Sequence, residues 1–404
     1  LPRLQPACFY DLVIQIAIVR PGPIQGDMVH PFLRRRAGKE SIDYPSPEVR
    51  QVLERTLGVP IFQEQVIKLA MVAAGFSGGE ADALRRAMSS WKRHGELDKF
   101  RHKLVGGMVT RGYDKAFAER LYQQILGFGE YGFPESHAAS FAVLTYASAW
   151  LKYHYPAAFY CAILNSQPMG FYSASQLVQD ARRHDVQVLP VCINHSAWDH
   201  SLETTDTAEL AIRLGLRQVK GVRQGPIQEL IAQRPPQGFQ GLSQVQALHL
   251  AKGQLESLAS ANALTCFSGH RYQARWQLLD NHQDLPLLRE IHETHPEQLP
   301  APVALNALTE DYASLNLSLE HHPIALLRHA GLLKGCISTR QMAHKPHQSL
   351  VTAAGLVTGR QRPGTASGVT FITLEDETGN TNLVVWQGTA RAQRQAYLNA
   401  KILK

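Results

Sequence analysis

The residues best suited to chemistry crowd one short stretch, Ala81-Asp-Ala-Leu-Arg-Arg-Ala-Met-Ser-Ser-Trp-Lys-Arg93. Side chains three and four positions apart share a helix face. Arg85, Met88 and Lys92 are therefore expected together, Arg86 and Arg93 on the adjoining stripe, and Leu84, Ala87 and Trp91 inward. Several cations projecting from one rigid helix suit a polyphosphate, because Arg and Lys neutralise the charge that develops in phosphoryl transfer. A solvated basic face is the plainer alternative, so the neighbouring strings matter. Ile18-Val-Arg-Pro-Gly-Pro-Ile24 brackets Gly22 with two prolines and predicts a rigid turn behind Arg20. Ile61-Phe-Gln-Glu-Gln65 and Glu130-Tyr-Gly-Phe-Pro-Glu-Ser-His-Ala138 add further polar groups within apolar surroundings.

These strings need elements to hold them. Apolar residues recur at helical spacing from Pro47 to Phe76, with a break at Gly58-Val59-Pro60. Gly75-Phe-Ser-Gly-Gly79 is a turn, from which Ser77 or Gly78 opens a helix over 80–90. Further helices are predicted over 116–126 and 139–153, the glycine- and aromatic-rich 127–134 between them remaining irregular. Val186 to Ile193 is strand-like, as is Leu210 to Leu214. Two similar units follow: Leu216-Arg-Gln-Val-Lys-Gly-Val-Arg223 and Leu248-His-Leu-Ala-Lys-Gly-Gln254, each leading into a helix. Each resembles the turn of a helix-hairpin-helix, whose backbone N–H groups bind phosphate without reading sequence. Lys220, Gly221 and Arg223 are the candidate DNA contacts of the first unit, and Lys252 and Gly253 those of the second, where an ordinary helix turn serves nearly as well.

After a Pro-, His- and Glu-rich stretch from Asp280 to Pro302, the pattern switches to period-two alternation. Val351 to Val357, Thr370 to Leu374 and Asn382 to Trp386, with a turn at Asp376-Glu-Thr-Gly379, predict an antiparallel meander. It resembles the first strands of an OB fold, which needs five. The fold class is thus mainly α, including the helix-hairpin-helix turns, with a C-terminal β segment resembling a truncated OB fold. Four domains are expected: 1–195, 196–278 for the hairpins, 279–345 for linker and helices, and 346–404 for the partial OB fold.

Composition narrows little. Lys and Arg outnumber Asp and Glu by 41 to 34, which favours an anionic partner without naming one. The five cysteines lie far apart, with no CxxC pair or zinc spacing, and are read as buried or idle thiols of a reducing, cytoplasmic chain. No stretch is apolar for long enough to span a bilayer, and no signal peptide is seen. The chain opens on Leu1 and ends in mid-pattern at Lys404, so a fragment is expected.

Taken together, the Arg-Pro-Gly-Pro turn at Arg20, Gln63-Glu-Gln, Leu84-Arg-Arg-Ala-Met, Tyr131-Gly-Phe with Ser136-His137, Trp150-Leu-Lys with His154-Tyr-Pro156, and Val219-Lys-Gly-Val222 resemble the fingers region of the C-family bacterial DNA polymerases. In order and rough spacing the set spans nearly the whole chain. Ser89-Ser-Trp-Lys-Arg93, Asn165-Ser-Gln-Pro-Met-Gly-Phe-Tyr172 and Arg182-Arg-His-Asp-Val186 resemble the error-prone branch rather than the replicative alpha subunits. The resemblance implies that Arg85 and Arg86 meet the triphosphate of an incoming nucleotide. It makes Lys92 and Arg93 helpers, with Arg20, Gln63 and His137 lining the same pocket. It implies Mg2+ for a whole polymerase, primer-template DNA and dNTP as ligands, and mutagenesis-cassette proteins, and through them the sliding clamp, as partners.

The paired aspartates that would hold two metal ions in such an enzyme are not found: Asp11, Asp27 and Asp43 stand alone. The chain is expected to bind nucleotide and duplex without polymerising. Gln283-Asp-Leu-Pro-Leu-Leu288 loosely resembles a clamp-binding peptide, with linker the favoured reading, and His321-His-Pro323 is read as structural. The alternatives are a replicative alpha subunit and a non-catalytic DNA-binding module.

Overall fold

The computed structural model describes residues 4–20, 28–89, 98–128, 134–170, 172–248, 250–279, 297–363 and 368–404. The chain divides into two compact units, Leu1–His154 and Tyr155–Lys404. Among the described residues no helix is long and apolar enough to cross a membrane.

The first unit is helical. Helix Gln63–Ala74 lies at its centre, burying Val66, Leu69, Ala70 and Ala73 and packing against helices Pro47–Leu53, Gly78–Ser89 and Asp98–Thr110. Burying one such aliphatic side chain is worth about 1.5–3 kcal/mol, so this central face accounts for much of the unit's cohesion. Closest approach falls at Gly107, where an added Cβ would lie 2.2 Å from the carbonyl oxygen of Ala74. Only glycine lets the two backbones cross there. Helix Gln63–Ala74 stops at Gly75, whose φ of 74° is the left-handed C-cap that glycine adopts at least cost.

Ser77 and Glu80 open the next helix with a reciprocal cap. The Ser77 amide donates to the Glu80 carboxylate at 2.9 Å, and the Glu80 amide donates back to the Ser77 hydroxyl at 3.4 Å. An ion pair with Lys103, with help from Ser77, holds the Glu80 carboxyl down to about 2. The helix runs Gly78–Ser89, starting two residues earlier than the spacing suggested. Ala81, Leu84 and Met88 form its inward face, each about 1% exposed. Met88 was expected beside Arg85; instead it continues the Ala81–Leu84 stripe by a step of four.

Helix Phe9–Ile18 packs along helix Glu135–His154. The latter is longer than the predicted 139–153, and only Ala138 and Ala142 are buried on it. Leu144, Tyr146 and Trp150 are exposed, so its apolar residues do not gather on one inward stripe.

The second unit begins with helices Pro156–Asn165 and Ala174–Arg183, packed on a three-stranded sheet. Strands β1 (Val188–Leu189), β2 (Ser201–Thr204) and β3 (Leu210–Arg213) pair in the order β1-β3-β2, with β1 parallel and β2 antiparallel to β3. Of the strand predicted over 186–193 only two residues pair. Pro190 offers no N–H, so the ladder has no donor at the next position.

Helices Gln224–Ala232, Leu242–Gln246, Lys252–Ser260 and Arg271–Leu278 follow, and then helix Ala304–Leu315, which packs on Lys252–Ser260. A four-stranded antiparallel sheet closes the unit: β4 (Gly355–Gln361), β5 (Thr370–Asp376), β6 (Gly379–Val385) and β7 (Ile402–Leu403), in the order β6-β5-β4-β7. On β5, Thr370, Ile372 and Leu374 are buried while Phe371 is exposed, the period-two pattern of a half-buried strand. The sheet is curled into half a barrel, consistent with a truncated OB-like fold. Its β5–β6 turn is tied by the Asp376 carboxylate, which accepts from the Thr378 amide at 2.8 Å and the Thr339 amide at 2.7 Å. His322 Nδ1 accepts from the Ile324 amide at 3.2 Å and so caps helix Pro323–His329.

Candidate nucleotide and DNA interface

Arg85 and Arg86 leave the exposed side of helix Gly78–Ser89, opposite Ala81, Leu84 and Met88. One carboxylate serves both. Arg85 lies 2.8 Å from Asp82 Oδ1 and Arg86 3.1 Å from Asp82 Oδ2. Steps of three and four along the helix make this fork possible. Two guanidiniums against one carboxylate leave a net positive charge on this face, which is what an anionic ligand could use. Lys92 and Arg93 lie outside the described residues, as do Gln283–Leu288 and the prolines that follow Arg20.

Gln63 is the first residue of helix Gln63–Ala74 and is buried. Two positions on, Gln65 uses its whole amide. Its Oε1 accepts from the Ile61 and Phe62 amides at 2.9 and 3.1 Å, and its Nε2 donates to the Val52 carbonyl at 3.1 Å and the Thr56 hydroxyl at 2.8 Å. Four bonds exhaust the capacity of a glutamine, so Gln65 is a brace. His137 is exposed in the first turn of helix Glu135–His154, its ring 4.8 Å edge-on from Phe141. Arg20 follows Val19, the C-cap of helix Phe9–Ile18, its amide donating to the Ala17 carbonyl at 3.0 Å.

Sequence reasoning passed over the residues that join these elements. The Glu135 amide donates to Glu64 Oε2 at 2.9 Å, while Glu135 Oε1 accepts from the Tyr10 hydroxyl at 2.7 Å. The Arg55 guanidinium sits 3.4 Å from the centre of the Tyr10 ring and 3.8 Å from Glu135 Oε1. Burial and the adjacent Glu135 carboxylate push the Tyr10 phenol well above its ordinary value, keeping it a neutral donor. The signal for this chain of contacts was present as Glu64 within Gln-Glu-Gln and Glu135 within Pro-Glu-Ser-His, but no local period links positions 71 residues apart.

In the second unit the two Lys-Gly turns converge. Lys220, Gly253, Ser257 and Arg275, with the carboxylates of Glu256 and Glu310, line one cleft of about 360 Å³. Gly221 sits at φ 87° directly above Ser257; a Cβ there would lie 2.5 Å from the Ser257 hydroxyl. Arg223 is the exposed N-cap of helix Gln224–Ala232. Lys252 and Gly253 open helix Lys252–Ser260, where the first-turn N–H groups lack helical partners.

Helix Ala304–Leu315 buttresses both turns, a role missed in the sequence. Lys220 donates its amide to the Ser314 carbonyl at 2.8 Å and its ammonium to the Tyr312 carbonyl at 3.1 Å, and Gln218 Nε2 donates to Leu315 at 2.7 Å. A cation at the C-terminal carbonyls of a helix also meets the negative end of its dipole. Arg271, 1% exposed, pairs with Asp311, which accepts from the Ser318 hydroxyl at 2.6 Å; Arg275 pairs with Glu310. Arginines four apart facing acids one apart were the available clue.

Comparison with known proteins places these features. The bacterial DNA polymerase III alpha subunit finger domain matches residues 1–112, and a helix-hairpin-helix motif matches residues 185–274. The second match contains both Lys-Gly turns. Over essentially its whole length the chain is also similar to proteins named "Error-prone DNA polymerase". It is 62% identical to that of Vibrio parahaemolyticus over 403 residues, 57% to that of Idiomarina loihiensis over 406, and 54% to that of Pseudomonas paraeruginosa over 407. All of this chain is covered in each, but only 39–40% of the relative. The resemblance to the error-prone branch of the C-family polymerases is thus borne out: the chain is homologous, from end to end, to part of those proteins. Among the described residues no group of three or more His, Cys, Asp or Glu side chains could hold a metal ion. The Mg2+ implied by the resemblance therefore finds no ligand set among them.

Proposed function

We propose that this chain is the nucleotide- and DNA-binding part of an error-prone, damage-tolerant DNA polymerase acting in translesion synthesis, repair and induced mutagenesis. The observation that carries the reading is the pair Arg85–Arg86 on one exposed helix face, inside a unit matched by the polymerase finger domain. In this reading the pair meets the triphosphate of the incoming dNTP. Lys92 and Arg93 assist it, and Arg20, Gln63 and His137 line the same pocket. Primer-template DNA lies on the hairpins, with Lys220, Gly221, Arg223, Lys252 and Gly253 at its phosphates. The curled sheet takes single-stranded template. The chain works in the cytoplasm, with mutagenesis-cassette proteins and, through them, the sliding clamp as partners. Alone it binds and does not polymerise, because the carboxylates that would hold two metal ions are absent from it.

Titrating the chain and primer-template DNA with dNTP, beside an Arg85→Ala/Arg86→Ala variant, tests this. Loss of most nucleotide binding with DNA affinity kept is the expected result. Nucleotide binding that is absent, or indifferent to both arginines, would leave a DNA-binding module whose basic helix is a solvated face.

A further inference from the structure

We propose that Glu64 is a positioning residue for nucleotide binding, acting through Glu135 to hold His137 in register with Gln63. The inference rests on the nucleotide-binding reading above and adds a residue that reading does not contain. Glu64 directly follows Gln63, and its Oε2 accepts the amide of Glu135, two residues before His137. The first turn of a helix has N–H groups with no helical partner, and an external carboxylate fixes the direction in which that turn leaves. Glu135 is fixed from its other side as well, by the Tyr10 hydroxyl at 2.7 Å and by Arg55 at 3.8 Å. Four elements thus meet at one point: the starts of helices Gln63–Ala74 and Glu135–His154, helix Phe9–Ile18, and the short 3-10 turn Glu54–Thr56.

The charges support a fixed geometry. The Glu135 amide meets one carboxylate while its own carboxylate meets the Tyr10 hydroxyl, and the Arg55 guanidinium, over the Tyr10 ring, adds a cation to this acidic junction. Tyr10 stays a neutral donor. Ala138 and Ala142 anchor this helix against the core beside helix Phe9–Ile18, and the polar junction adds a directional tie at its first amide.

The test uses the full chain with primer-template DNA and dNTP, comparing wild type, Glu64→Ala, Glu64→Gln and Tyr10→Phe. Two quantities are read: hydrogen exchange at the backbone amides of 135–138, and the separate dissociation constants for nucleotide and DNA. Glu64→Ala is expected to speed exchange at those amides and to weaken dNTP binding about tenfold, the worth of one hydrogen bond to a charged acceptor. DNA affinity stays as in wild type. Glu64→Gln, which keeps an acceptor, should recover most of the loss, and Tyr10→Phe should fall between. Exchange unchanged in Glu64→Ala overturns the proposal, as does faster exchange with unaltered nucleotide affinity. A wild-type chain that binds no nucleotide overturns both the proposal and the reading beneath it, and is told apart from the other outcomes by the wild-type titration alone.

Discussion

Gly221→Ala separates two kinds of strain at the first hairpin. The residue sits at φ 87°, where an L side chain costs about 1–2 kcal/mol. The new methyl would also lie 2.5 Å from the Ser257 hydroxyl, well inside contact distance. Ser257 can escape only by rotating away from its bond to the Gly253 carbonyl, 2.8 Å long, at a cost of about 0.5–1 kcal/mol. The single substitution should therefore destabilise the second unit by roughly 1.5–3 kcal/mol. Adding Ser257→Ala removes the hydroxyl and leaves the Cβ of residue 257 at 3.5 Å, an ordinary contact. Ser257→Ala itself gives up the bond to Gly253, so Gly221→Ala made in that background should cost only the backbone part, about 1–2 kcal/mol. Urea unfolding of the full chain, with hydrogen exchange read on peptides from 216 to 260, measures both values. In the DNA-binding reading, affinity for a duplex falls with Gly221→Ala, and by less when it is made in the Ser257→Ala background. A Gly221→Ala variant as stable as wild type, or one that costs as much in the Ser257→Ala background as in wild type, refutes the assignment of strain to that contact.

The other predictions probe different elements. Asp82→Asn frees Arg85 and Arg86 from their shared carboxylate; an exposed pair is worth about 0.2–1 kcal/mol, so dNTP affinity should rise up to about fivefold with little change in stability. Weaker binding would mean that Asp82 aims the arginines instead of competing for them. Arg271→Met leaves Asp311 buried without its cation and should cost about 3–5 kcal/mol in urea unfolding, most of it regained on adding Asp311→Leu. His200, 5% exposed, accepts from the Gly215 amide at 3.0 Å, and burial lowers its pKa from 6.5 to about 4. The unfolded chain binds that proton first as pH falls. Stability is therefore complete above about 6.5 and declines toward 4 by on the order of 3 kcal/mol, a slope that a His200→Asn variant should lack.

Local patterns carried further here than long-range ones. The stops and caps near Gly75 and Ser77, the helices within 47–89, the two Lys-Gly turns and three strands of the last sheet follow from periodicity and turn chemistry that lie within a few residues, whereas helices Val29–Arg36 and Asp98–Thr110 were not read from it. The fourth strand, Ile402–Leu403, is too short to alternate and exists because β4 offers it Gly355 and Leu356 as partners. Met88 was misplaced because a helix wheel gives faces without saying which one is buried; Ala81 and Leu84 decide that only once the neighbouring helix is in place. The same limit hid the joints of the candidate site. Glu64 and Glu135 look like solvent-facing acids in sequence, and Asp311 like one more polar residue on an amphipathic helix. Their roles come from partners 71 and 40 residues away, Glu135 for Glu64 and Arg271 for Asp311. Cations that could touch phosphate announce themselves by type and clustering. The acids that hold those cations, and the helices bearing them, do not, because a carboxylate reads alike whether water or a backbone amide will meet it.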